Sequence, residues 1–179
     1  MKLDYPQALK RVDEARGAWI MYGQEPLLEQ NLLDAFRQSW HKQEIERQRY
    51  DISNVGDWKT VFNALNSLSL FSNQLAIEVH GNIKPDASSL KLLKHYIQHN
   101  EQNLLLVVMP KQDSSSLKSS FFQVVDANGV TVPLTANYPQ DRQRILGIEA
   151  EKLGIKLAKD AWQWVEQHHE HNLLAAKNS

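Results

Sequence analysis

Ala18-Trp19-Ile20-Met21-Tyr22-Gly23-Gln24-Glu25-Pro26-Leu27-Leu28 decides the fold. An apolar run reaches a glycine, the chain turns through two polar residues, and Pro26 opens a helix where its missing N–H costs nothing. Beyond it Leu28, Leu32, Ala35, Phe36 and Trp40 recur at three- and four-residue spacings, the inward face of an amphipathic helix. Comparable short runs follow. Leu75-Ala76-Ile77-Glu78-Val79 closes at His80-Gly81, Leu104 to Met109 closes at Pro110, and Val130-Thr131-Val132-Pro133-Leu134 follows Asn128-Gly129. Runs of this length, rich in branched residues and ended by Gly or Pro, suit strands buried on both faces. A weaker strand is expected over 47–52. Helices are predicted over 58–68, over 87–99 behind Pro85-Asp86, and through Leu117, Phe121, Val124 and Val125 as one further helix. Strand–helix alternation implies right-handed crossovers, so the expected class is α/β, a doubly wound, mostly parallel sheet with flanking helices.

Composition narrows the function. The 179 residues are 42% hydrophobic and 23% charged, too apolar for a disordered chain. Twenty basic against twenty-one acidic side chains give a net charge of −1, which argues against a dedicated electrostatic DNA binder. Without cysteine there is no thiolate chemistry, disulfide or Cys-ligated zinc. The longest apolar run, Leu104 to Met109, is far short of a membrane span, and the N-terminus has no stretch of signal-peptide type. A cytoplasmic protein without membrane partners is expected. After Leu134 the pattern turns wholly helical. Thr135-Ala136-Asn137-Tyr138-Pro139 reads as a linker, a helix is stopped by Gly154, Asp160 caps another, and a third begins near Asn172. The expected division is an α/β domain over 1–137 and a helical, incomplete one over 138–179.

Several chemistries are missing from the sequence. A nucleotide-binding turn needs converging backbone N–H groups on glycines and a Lys-Ser/Thr pair for phosphate and Mg²⁺. Gly23-Gln24-Glu25-Pro26 has one glycine, no lysine, an acidic side chain that repels phosphate and a proline that removes a donor; none of the seven glycines in the chain precedes a lysine. The turn after Met109, Pro110-Lys111-Gln112, lacks an acidic pair for metal and water. No ATP site, cofactor or catalytic set is expected. His168 and His171, or His95 and His99, have the spacing of a two-ligand metal site, but a solvated helix surface explains both sets more simply. Lys10-Arg11 and the Arg142/Arg144 pair read as exposed faces, the latter within reach of a nucleic acid.

The remaining signal is 58–74. Advancing about 100° per residue, Trp58, Val61, Phe62, Leu65 and Leu68 form one apolar face. The same rotation carries Leu70 and Phe71 more than about 100° from its centre. Either the helix ends near Leu68 and the chain folds this pair back into the core, or two large apolar residues face water side by side. An exposed pair of that kind fits a preformed greasy pocket on a partner.

The motifs resemble a known family. Gly23-Gln24-Glu25-Pro26-Leu27-Leu28-Glu29-Gln30 behind a strand, and Ser69-Leu70-Phe71 ahead of the next, are similar to the delta subunit of the bacterial DNA polymerase III clamp loader. The likeness extends through Leu104 to Met109, Gly154-Ile155-Lys156-Leu157 and Glu170-His171-Asn172-Leu173-Leu174. It implies an AAA+-like first domain without a functional ATP site, then a small helical lid; the family's collar domain, which joins the other loader subunits, is absent from this chain. It also implies a non-catalytic module of the polymerase III holoenzyme, itself a nucleotidyltransferase, touching DNA only within the assembled loader. The implied partner is the sliding clamp, the beta subunit. Leu70 and Phe71 would be the plug entering its pocket, with Ser67, Leu68 and Ser69 shaping the helix end. Asn66 stands where the family often has Gln, one methylene longer, and His171 where a glycine is common. Two rival readings remain: a small-molecule enzyme on a doubly wound sheet, drawing on Glu25, His80 and Lys111 at the strand ends, and a passive scaffold subunit.

Overall fold

A computed structural model of the chain describes residues 1–66, 74–99, 102–135, 146–147 and 150. In chain order these form α1 (Tyr5–Leu9), a 3-10 turn (Val12–Glu14), β1 (Gly17–Gly23), α2 (Pro26–Lys42), β2 (Glu46–Asp51), α3 (Asp57–Asn66) and β3 (Leu75–His80). Then follow α4 (Ala87–His99), β4 (Leu104–Met109), α5 (Ser114–Leu117), α6 (Ser120–Asn128) and β5 (Val130–Leu134). The five strands make one parallel sheet in the order β2-β3-β4-β1-β5. β1 lies between β4 and β5, with Ile20 paired to Val107 on one side and Thr131 on the other.

Side-chain alternation sorts each inner strand between two cores. Trp19 and Met21 of β1 join Leu106 and Val108 of β4 against Leu28, Leu32, Phe36 and Trp40 of α2. Ile20 and Tyr22 join Val107, Ile77 and Val79 against Trp58, Phe62 and Leu65 of α3, Leu93 and Tyr96 of α4, and Phe121 and Val125 of α6. β4 is buried at every position, as a strand with neighbours on both edges and helices on both faces must be. β2 has a single neighbour, and its sequence Glu-Arg-Gln-Arg-Tyr-Asp is half-exposed or exposed throughout; charged side chains on an edge strand discourage pairing with other chains.

The structure departs from the sequence reading in two places. The helix expected through Leu117 and Val125 is two. Asp113 caps α5 by accepting from the Ser116 N–H at 2.7 Å, and Ser119 is extended (φ −63°, ψ 156°) before α6 begins. At the N-terminus, α1 was not anticipated. Its signal is the capping box Asp4-x-x-Gln7, in which the Asp4 carboxylate accepts from the Gln7 N–H at 2.9 Å and the Gln7 side chain accepts from the Asp4 N–H at 3.0 Å. Ahead of it, the Leu3 N–H donates to the Thr131 carbonyl and the Thr131 N–H to that of Met1, each at 2.9 Å, so the first residues cover the outer edge of β5. Most of the helical unit expected over 138–179, with His168 and His171, lies outside the described residues; Leu146 is buried in the core on the α2 side.

Candidate functional site

α3 is the element on which the sequence placed its binding residues. Asp57 starts it, its carboxylate accepting from the N–H groups of Ser53 and Asn54 at 2.8 and 3.1 Å. Trp58 locks the first turn, its indole N–H donating to the Ile83 carbonyl at 2.7 Å and its ring stacking on Phe62 at 5.3 Å. Trp58, Val61, Phe62 and Leu65 are all buried, and Lys59, Thr60 and Asn63 are exposed. The inward face is therefore the one that periodicity assigns. Asn66, half-buried, donates its side-chain amide to the Phe62 carbonyl at 2.9 Å and to that of Leu92 on α4 at 3.2 Å. Ser67, Leu68, Ser69, Leu70 and Phe71 lie outside the described residues.

The turn after β1 has a packing explanation for its glycine. A Cβ on Gly23 would collide with the backbone carbonyl of Leu134, because β5 closes directly against it. Pro26 occupies the first turn of α2, and half-buried Glu25 is its extended N-cap.

The densest polar constellation escaped the sequence reading. Glu78, in the middle of apolar β3, has no exposed surface. Arg37 of α2 holds it bidentately, Nε to Oε1 at 3.0 Å and Nη2 to Oε2 at 2.8 Å, and His80 Nε2 lies 2.6 Å from Oε2. Arg47 and Arg49 of β2 approach to 3.6 and 3.9 Å. Burial pushes the Glu78 carboxyl up, but hydrogen bonds to His80 and Arg37 and the arginine's charge outweigh it and hold the group at about 2. The same bond raises Arg37. The signal available was an acid inside an apolar run, with Arg-x-Arg on the strand expected ahead of it in the chain.

Of the strand-end residues, His80 is thus engaged by Glu78, Lys111 is exposed, and Glu25 follows β1, with β4 lying between that strand and β3. His95 and His99 stack at 4.2 Å on an exposed face of α4, and no group of three metal-ligating side chains occurs among the described residues. A cavity of about 150 Å³ opens beside Tyr22, Phe122, Asp126 and Lys2. It is well below the roughly 300–1,000 Å³ of ordinary small-molecule sites. Burial, then the Asp126 charge, raises the Tyr22 phenol. Among the described residues no helix is long and apolar enough to cross a membrane.

A five-stranded parallel sheet in this order, with helices packed on both faces, has an AAA+-like fold. Solved structures share that fold. A Bacillus subtilis DNA clamp loader delta protein matches with a TM-score of 0.69 at 12% identity, over 97% of this chain and 54% of that one. A Thermotoga maritima RuvB matches at 0.54 and 13% identity, over 97% of this chain and 57% of that one. Domain III of the Thermotoga maritima replication initiation protein DnaA matches at 0.52 and 12% identity, over 97% and 78%. Sequence comparison is more specific. Residues 19–134 match the family described as DNA polymerase III, delta subunit, and the chain belongs to that family. It is 29% identical over 177 residues to the DNA polymerase III subunit delta of Escherichia coli K12, covering 96% of this chain and 51% of that protein. The chain thus spans about half the length of that relative.

Proposed function

We propose that this chain is the clamp-engaging module of a delta subunit, binding the ring-shaped sliding clamp through Leu70 and Phe71 and favouring its open form during DNA replication. Ser67, Leu68 and Ser69 shape the helix end that presents the pair, and Asn66 anchors that end. One observation carries the reading most directly. Trp58, Val61, Phe62 and Leu65 make the buried face of α3, and the same spacing counted on through the sequence assigns Leu70 and Phe71 to the side of Lys59, Thr60 and Asn63, which face water.

The work is done by binding. A ligand shifts a closed–open equilibrium only by the difference in its affinity for the two states. The module therefore holds the open ring more tightly, while nucleotide is handled by other subunits and those subunits are reached through segments other than this one. Leu70→Ala and Phe71→Ala are each expected to weaken clamp affinity by at least about 1–2 kcal/mol, roughly tenfold. Titrating the cognate clamp against wild type and both variants checks this; affinities equal to wild type would remove the plug. Release of clamps from circular DNA separates an opener from a scaffold that binds and frees no rings.

A further inference from the structure

Asn103 is buried, 6% exposed, immediately ahead of β4. Both ends of its carboxamide are used on backbone. Oδ1 accepts from the Leu75 N–H at 3.0 Å, and Nδ2 donates to the Leu65 carbonyl at 3.1 Å. Its own backbone carbonyl accepts from the Gly17 N–H at 3.2 Å and from the Tyr96 hydroxyl, which fixes Asn103 to β1 and α4. Leu65 is the last buried apolar residue of α3 and Leu75 the first residue of β3. One planar side chain therefore joins the point where the chain leaves the helix to the point where it enters the strand, although Asn66 to Gln74 lie between.

We propose that Asn103 is a positioning residue for clamp engagement: by fastening Leu65 to Leu75 it fixes the root from which the Leu70–Phe71 segment is presented. The inference rests on the plug reading and goes beyond it by naming what holds the plug's base. A segment whose ends are free must lose that freedom on binding, and its apparent affinity falls by the fraction of time its root is correctly placed. The asparagine amide supplies donor and acceptor on one fixed plane. Aspartate keeps the acceptor for Leu75 and loses the donor to Leu65; leucine, similar in shape, loses both.

The test measures clamp affinity of the chain at a temperature where circular dichroism shows every variant folded. Asn103→Leu is expected to bind about tenfold more weakly, each lost bond being worth roughly threefold, and Asn103→Asp at least as weakly, because its buried carboxylate also faces the Leu65 carbonyl. Hydrogen exchange at the Leu75 amide should accelerate in Asn103→Leu and stay slow in Asn103→Asp. Tyr96→Phe removes a bond to the same residue without touching either end of the segment; it should lower Tm and leave affinity at the wild-type value. If both Asn103 variants lose thermal stability but bind like wild type, or if Tyr96→Phe weakens binding as much as they do, Asn103 only satisfies buried backbone groups and the proposal is overturned. If Asn103→Leu does not fold, Asn103→Asp decides alone. Failure of the underlying reading looks different: the Leu70→Ala/Phe71→Ala double variant then binds the clamp unimpaired, and the positioning role falls with it.

Discussion

Glu78 shows how much of this molecule hangs on single charges. A carboxylate with no exposed surface is tolerated because Arg37 grips it with two hydrogen bonds and His80 closes the remaining side. Its carboxyl is held at about 2 against an ordinary 4.5, so the folded state binds the proton less readily than the unfolded one. The resulting stabilisation is complete above about pH 4.5 and is lost as pH falls towards 2, and amounts to on the order of 3 kcal/mol. Urea unfolding at pH 7 and pH 3 should show roughly two thirds of that loss in wild type. In Glu78→Gln the difference should shrink, with the pH 7 stability already lowered by about 3 kcal/mol through loss of the charge that Arg37 grips. A wild-type pH profile in the variant would mean the carboxylate is not the titrating group. The pairing was not legible in the sequence, because the bidentate partner lies on α2, the helix after β1, and no local pattern couples the two positions.

At the scale of elements, legibility follows the reach of the signal. β1, β3, β4 and β5 appear within a residue or two of where apolar runs bounded by Gly or Pro placed them, and α2 begins at Pro26 as expected. These signals are short-range and strong. The α5–α6 break was missed because Leu117, Phe121, Val124 and Val125 keep helical spacing across an extended Ser119: periodicity records which side faces the core and is blind to an interruption that preserves the face. For the candidate site, the inward face of α3 was readable from spacing. The Asn103 tie was not, since an asparagine between polar residues and a strand looks like any loop residue. Gly23 carries a prediction here. Its position invites a nucleotide reading, yet the obstacle to a side chain is the Leu134 carbonyl of β5. Gly23→Ala is expected to cost about 1–3 kcal/mol by forcing β1 and β5 apart, measured as a lower Tm that added ATP does not alter. An unchanged Tm would remove the packing explanation.

On the scale of the whole molecule, the sheet has one edge covered by Met1 to Leu3 and the other made of the charged strand β2, while both faces are spent on internal cores. Among the described residues, large apolar side chains are exposed only at Met1 and Val55. The anchors proposed above for an apolar partner, Leu70 and Phe71, belong instead to the sequence between α3 and β3. This separates two quantities that a core residue would link. Truncating a buried Leu or Phe costs a fold about 2–5 kcal/mol, whereas surface substitutions stay within about 0.5 kcal/mol. The double variant Leu70→Ala/Phe71→Ala should keep the denaturant midpoint of wild type while its clamp affinity collapses. A midpoint lowered in proportion to the lost affinity would place the two residues among the core of α3 and overturn their assignment as the plug.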